Sequence, residues 1–318
     1  MCVVRACRGV SRRVFLFPQE VVKSKSIVIK INMVSPTNIL SMTPPDAVEF
    51  LLRILREDYG YSGEIIIAEG SAGDTWLGFR RGGFDSIARK FDAELFDLHE
   101  DDFYSVEVFN HRLETFEIPV SKLLVDSDAL ISICRAKTHD TVVVTLSIKN
   151  VAVGGIVGVG NRSRIHQGYR AINLNIAILG AIMFPDYAVV DGRVGMQGDG
   201  PVWGYEKEWG YVFSSNNALC LDAIVAESMG FNPINIGYLY YLSRLGFGDI
   251  KHVRLSGADI GDIKTSFKPH RTYRKQLNWR LDPETEEKIL RQIEKIVSRF
   301  PRAKKAKHRH SKIEPPEI

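Results

Sequence analysis

Ser26-Ile27-Val28-Ile29-Lys30-Ile31 is an apolar run of strand length, and its relation to the next two segments decides the fold. Thr43-Pro44-Pro45-Asp46 opens a helix. Thr43 reads as its cap, Pro44 sits where a missing N–H costs nothing, and Asp46 complements the helix dipole. Val48, Leu51, Leu52 and Leu55 then recur at helical spacing. Glu64 to Ala68 is the next strand. Strand, helix and strand in this order is the building unit of an α/β layer protein.

The alternation continues outward. Phe84 to Phe91 reads as a short helix, Ala129 to Cys134 and Val142 to Ile148 as strands, and Ile172 to Met183 as a buried helix. Tyr187 to Val190 is a further strand, and Ala218 to Met229 a helix ended by Gly230. The expected fold is α/β, a mixed or mostly parallel sheet flanked by helices, with a C-terminal helix and a basic tail. Residues 1–25 form an N-terminal extension in this reading, 26–264 the α/β core, and 265–318 a basic C-terminal extension. Within the extension one helix spans 283–300. Asp282-Pro283 starts it, Ile289, Leu290, Ile293, Ile296, Val297 and Phe300 share a stripe, and Pro301 ends it. Arg302 to Lys312 is expected to be disordered.

The 318 residues are 45% hydrophobic and 25% charged, which excludes a disordered or fibrous chain. No apolar run approaches the roughly 18 residues of a membrane span; Ile176 to Phe184 comes nearest. The basic N-terminus lacks the apolar core and cleavage site of a secretory signal. Cys2, Cys7, Cys134 and Cys220 suggest neither a disulfide framework nor a metal knuckle. The expected compartment is cytoplasmic. Net charge is +4, but residues from Lys264 onward hold 16 Lys/Arg against 7 Asp/Glu, leaving 26 against 31 in the remainder. The body is mildly acidic, so the overall balance says little about a site.

In open α/β sheets, ligands bind beyond the carboxyl ends of the strands. Lys30 and Asn32 close the first run, Glu69 and Gly70 the second, and Lys137, Thr138 and His139 follow Ala129–Cys134. Lys149 and Asn150 follow Val142–Ile148, and Asp191 follows Tyr187–Val190. Turn and cap preferences account for any one of these, but five polar strand ends together point to a site. Lys137 and Lys149 are cations that need an anion if buried. His139 and His166 are candidate proton-transfer groups or metal ligands. Gly154 to Gly160 is a glycine-rich loop, neither a Walker A loop nor a dinucleotide fingerprint. Gly198 and Gly200 belong to a second glycine loop that could cover the site, and Asp222 lies among apolar neighbours, where a lysine is the expected partner.

These residues resemble the domain-of-unknown-function family numbered 362 of bacteria and archaea, over roughly residues 26 to 257. Lys30-Ile31-Asn32 resembles its Lys-Pro-Asn motif with Ile31 in place of proline, and Ala68-Glu69-Gly70 its second strand end. Lys137-Thr138-His139 with Thr145-Leu146-Ser147-Ile148-Lys149-Asn150 is the most specific match. His166, Val190-Asp191-Gly192, Gly198-Asp199-Gly200-Pro201, Asp222 and Met229-Gly230 come after it in order. Some members of that family carry ferredoxin-like segments; the cysteine cluster for one is absent here, so an intrinsic iron–sulfur cluster is not expected. By analogy, the lysine-and-histidine arrangement is also similar to that of the nickel-pincer lactate racemases.

The leading functional reading is an enzyme acting on a small anionic substrate. Lys137 and Lys149 hold the anion, with Lys30, Asn32, Glu69, Asn150, Gly198, Gly200 and Asp222 as further binding residues. His139 and His166 move protons or bind a metal, and Asp191 or Asp222 orients them. The cofactor is open, a bound metal included. The alternatives are a non-catalytic binding or carrier protein for an anionic ligand, and a nucleic-acid-associated protein using the Arg302–Lys312 tail for weak, salt-sensitive polyanion contact.

Overall fold

A computed structural model describes residues 2–311. Its strands are β1 (Cys2–Arg8), β2 (Ser26–Lys30), β3 (Glu64–Glu69), β4 (Glu94–Asp97), β5 (Phe103–Phe109) and β6 (Thr115–Ser121), then β7 (Ala129–His139), β8 (Val143–Thr145), β9 (Tyr187–Gln197), β10 (Tyr205–Ser215) and β11 (Val253–Ser256). The main sheet has the order β11-β1-β10-β9-β7-β2-β3-β4, with β8 antiparallel to β7 at its end. From β9 to β4 every neighbouring pair is parallel, while β10 runs antiparallel to both β9 and β1. The fold is therefore the expected mostly parallel mixed sheet. β5 and β6 form a separate hairpin.

Both faces of the central strands are apolar, which is why they read as continuous runs rather than as alternation. Ile27, Ile29, Ile131 and Ile133 face one layer, with Val48, Leu51 and Leu52 of the Pro45–Arg53 helix. Val28, Leu130, Cys134 and Ala136 face the other, beneath the helices Ser147–Gly154, Gly168–Ile182 and Ala218–Ser228. From β2 the chain adds β3 and β4 on one side, and later returns to place β7 on the other. That reversal makes the β2–β7 border a topological switch point, with an open crevice at the carboxyl ends.

Three local expectations are corrected. Thr43 does not cap the helix that begins at Pro45. Its hydroxyl donates to Ile133 O (2.9 Å) and accepts from the Asn32 amide (2.8 Å), tying the loop after β2 to β7. Val142–Ile148 is not one strand: only Val143–Thr145 pairs, and a helix starts at Ser147. Lys149 and Asn150 are thus helical residues rather than a strand end.

The basic tail is the third correction. Pro301–Ser311 is a helix, while Lys312 lies outside the described residues. Arg302 is buried and reaches Asp186 Oδ2 at 2.6 Å, and Arg309 also bonds Asp186. The rest of Arg302's guanidinium satisfies Val125 O and Ser127. A charge run that finds a buried carboxylate at helical spacing folds instead of remaining solvated.

Residues 1–25 supply β1, which sits inside the sheet between β10 and β11. Cys2 at its start forms a disulfide with Cys220 on the Ala218–Ser228 helix, a bridge that the spacing of the cysteines does not suggest. Disulfides persist in oxidising compartments, so the cysteines no longer argue for a cytoplasmic location. Among the described residues, no helix is long and apolar enough to cross a membrane.

Candidate functional site

At the β2–β7 crevice lies a cleft of about 220 Å³. Its walls include Asn32, Glu69, His139, Lys149, Asn150 and His166 of the sequence-derived set, with Thr145, Asp140, Arg162 and Pro201 added. Beneath them Lys30 and Lys137 are completely buried.

The buried lysines are held differently. Lys30 Nζ lies 2.9 Å from Glu69 Oε2 and donates to Ile31 O (2.7 Å) and Asn150 Oδ1 (3.2 Å). Glu69 Oε1 accepts in turn from the Gly70 amide at 2.8 Å. Lys137 Nζ donates to Asn32 Oδ1 and to Ser41 O, the latter at 2.8 Å, and meets no carboxylate among the described residues. Burial therefore pushes its pKa down to about 7, with the nearby Lys149 and Arg135 adding to the shift. Asn32 and Asn150 link the two lysines, since Asn32 Nδ2 donates to Asn150 Oδ1 at 3.1 Å. The cleft floor is thus one continuous network from Lys137 to Glu69, and its satisfied members fix one another's geometry.

Lys149 stands above this floor. It is 7% exposed, lines the cleft, and has no hydrogen bond or ion pair among the described residues. Burial, partly offset by Asp140 and reinforced by Arg162, lowers its pKa to about 8. The helix that carries Lys149 owes its position to Asp222. That carboxylate accepts from the Ser147 hydroxyl, the Ser147 amide (3.0 Å) and the Ile148 amide (2.9 Å), capping the helix N-terminus. The expected lysine partner for Asp222 is not there. Burial raises its pKa to about 7 against these three donors.

His139 is buried at the end of β7, and its Nδ1 accepts from the Thr141 amide at 3.1 Å. The Thr141 amide can only donate to Nδ1, whereas the Asp140 carboxylate, 3.0 Å from the same nitrogen, can only accept from it, so the two contacts compete over which ring nitrogen carries the proton. Burial and the Lys149 charge hold its pKa at about 3, which keeps it neutral at physiological pH. The turn behind it is braced by Gln276, which donates to His139 O (2.9 Å) and accepts from the Val143 amide. Val143 needs that support, since it is β-branched and sits at φ 69°. His166 is more exposed, with Nδ1 3.0 Å from Arg162 O, and burial again lowers its pKa.

Arg162 completes the cationic wall. One guanidinium nitrogen donates to Gly154 O at 3.1 Å, while Nε has no hydrogen-bond partner. A Cβ on Gly70 would come within 2.8 Å of its Nη2, so a glycine there makes room for this arginine. Gly154 does the same for Lys30 Nζ, at 2.5 Å. Thr145, 2% exposed, also presents an Oγ1 without a partner.

Three expected members lie elsewhere. Asp191 does not line the cleft; it is buried against Arg193, whose nitrogens reach it at 2.7 and 3.0 Å. Gly198 and Gly200 act on the backbone beside the cleft. Thr138 Oγ1 donates to Gly198 O at 2.9 Å, and a Cβ on Gly200 would collide with Thr138 O at 2.3 Å. Among the described residues, no group of three His, Cys, Asp or Glu side chains converges to hold a metal ion.

A family model described as "Domain of unknown function (DUF362)" matches residues 27–227, which contain every cleft residue named above. The chain belongs to the DUF362 family. This DUF362 chain is also 24% identical, over 140 residues, to a thylakoid-associated protein of Synechocystis sp.. That match covers 43% of the chain and 42% of the relative, so the chain spans less than half the length of the curated protein it matches. Lactate racemase apoprotein from Thermoanaerobacterium thermosaccharolyticum is 13% identical, with a TM-score of 0.48 over 72% of this chain and 57% of that one.

Sequence reading missed Arg162, Thr145, Asp140 and Gln276. Arg162 and Thr145 carry no strand-end signal, because one lies beyond the glycine loop and the other on a short strand. Gln276 lies more than 130 residues from the turn it braces.

Proposed function

We propose that the cleft binds a small anionic substrate and that the protein is an enzyme transferring a proton within it. The observation that carries this reading is Lys149, a buried cation with no hydrogen bond or ion pair among the described residues, whose burial the nearby Asp140 only partly offsets. Beside it, Arg162 Nε and Thr145 Oγ1 are likewise unpaired. Donors that converge without an acceptor are costly in an empty site and are satisfied by an anion.

The protonation states assign the roles. Lys149, with a pKa near 8, can both hold an anion and exchange a proton close to neutrality. His139 is too acidic to serve as a base at that pH. It stays neutral there and offers one ring N–H as a donor to a developing negative charge. Lys137 and Lys30 set the floor and its positive potential, and Glu69 neutralises Lys30.

The test begins with thermal melts of the wild type and Lys149→Met against a panel of carboxylates and phosphates, lactate and inorganic phosphate included. Anions that stabilise only the wild type are then incubated in deuterium oxide and followed by proton NMR. Solvent deuterium entering the bound anion, or its conversion, supports the enzyme. Stabilisation without exchange or turnover supports a carrier. An identical response from both proteins removes the site.

A further inference from the structure

The mouth of the cleft is bordered by segments that leave large apolar side chains in water. Ile39 is 63% exposed, Trp76 39% and Trp203 84%. Each lies shortly after a residue that lines the cleft: Val34 begins the loop to Ile39, Ala72 precedes Trp76, and Pro201 precedes Trp203. These segments are fastened together. Asn38 Nδ2 donates to Val202 O at 2.7 Å, and the Ala72 amide donates to Val34 O at 3.2 Å. A Cβ on Gly73 would lie 3.1 Å from Pro36. The three segments that carry these side chains therefore meet beside the cleft.

A single exposed apolar residue needs no explanation, but two tryptophans and an isoleucine around a cationic cleft do. Tryptophan suits a border between water and an apolar body, because its ring covers a large area and its N–H stays wet. At about 220 Å³, and with Lys149, Arg162, Glu69 and Asp140 among its walls, the cleft suits a charged head group rather than a long chain.

We propose that the ligand is a single-chain amphiphilic anion, such as an alkyl phosphate or a fatty carboxylate. Its charged head enters beside Lys149 and Arg162, and its chain lies across Ile39, Trp76 and Trp203. This proposal rests on the anion-site reading and adds the chemical class of the ligand.

The experiment is titration calorimetry of the full chain with inorganic phosphate and with butyl, hexyl and octyl phosphate, all below their micelle concentrations. The proteins are wild type, Trp203→Ser, Ile39→Ser and Lys149→Met. In the wild type affinity rises about threefold for each methylene along part of the series, somewhat below the full transfer value because the rim covers one side of the chain. Trp203→Ser and Ile39→Ser flatten that rise and leave inorganic phosphate binding unchanged. Phosphate binding that depends on Lys149, with no gain from chain length, overturns the amphiphile and leaves the anion site standing. A gain that survives in Trp203→Ser and Ile39→Ser together overturns the rim. Binding only to vesicles of anionic lipid, with none to monomeric alkyl phosphates, also overturns it. Phosphate binding that is absent from the wild type, or equal in the wild type and Lys149→Met, removes the underlying anion site instead.

Discussion

The Lys30 ammonium lies 2.9 Å from Glu69 Oε2, whereas Lys149, one layer nearer solvent, has no carboxylate bonded to it among the described residues. Two lysines of the same cleft thus do opposite work. Lys30 is already neutralised and holds the floor together. Lys149 is left for an incoming charge.

Removing the charge of Lys30 should therefore be the damaging change. Lys30→Met strands Glu69 in a buried site and leaves Asn150 Oδ1 with Asn32 Nδ2 as its donor, at a cost of roughly 3–5 kcal/mol. Urea unfolding should show a clearly lower midpoint. The double change Lys30→Met with Glu69→Gln should recover part of the loss, since no buried charge then remains unpaired.

Lys149 should behave in the reverse way. Its folded pKa of about 8 lies below the unfolded value near 10.5, so the unfolded chain binds more protons between those pH values. Without a ligand, stability gained from this group rises as pH increases from about 8 to 10.5. Lys149→Met should lack that increment and should melt as high as the wild type, or higher, at pH 7. A marked fall in melting temperature would mean that Lys149 has a structural acidic partner.

Asp222 positions Lys149 at one remove, through the helix it caps. Asp222→Asn keeps the shape but turns an amide nitrogen toward donors, leaving a buried N–H unpaired at about 1–3 kcal/mol. Chemical denaturation should show this loss. Anion affinity should fall with it, because the Ser147–Gly154 helix that carries Lys149 loses its cap.

The C-terminal helix is held by Asp186. The arginines beside that carboxylate overcome its burial and hold its pKa at about 2. Its stabilisation is present above the unfolded value near 3.8 and is lost as pH falls through about 2. Arg302→Met should remove it at neutral pH, costing roughly 3–5 kcal/mol. Acid titration of stability should then run flatter between pH 4 and 2 than in the wild type. An unchanged acid profile would show that the helix does not dock.

Interaction range separates the features legible in the sequence from those it concealed. β2 and β3 could be read from their isoleucine runs, and Lys30, Asn32 and Glu69 from the ends of those runs. His139 was read as a residue beyond a strand and proved to be the last residue of β7. The break between β8 and the Ser147–Gly154 helix could not be read. An apolar run carries no period that separates strand from helix, and the cap that starts this helix comes from Asp222, 75 residues away. Asp191 looked like another strand-end site residue, but its partner is Arg193, two positions on. Arg162 reaches the cleft through room left at Gly70, a relation between distant segments that spacing does not display. The helix after Pro301 was read as a solvated charge run because Asp186, which anchors it, lies more than 110 residues earlier.

The central claim is that the cleft holds an anion through Lys149. Calorimetric titration of inorganic phosphate into the wild type and Lys149→Met, from pH 6 to pH 9.5, tests it most directly. The account predicts at least a tenfold weaker association for the variant at pH 7, in line with roughly 1.5–3 kcal/mol for a charge-assisted hydrogen bond. It also predicts a wild-type affinity that declines as pH rises through about 8 and above, where Lys149 loses its proton, with little such decline in the variant. Equal affinity in the two proteins, with the same pH dependence, would contradict it.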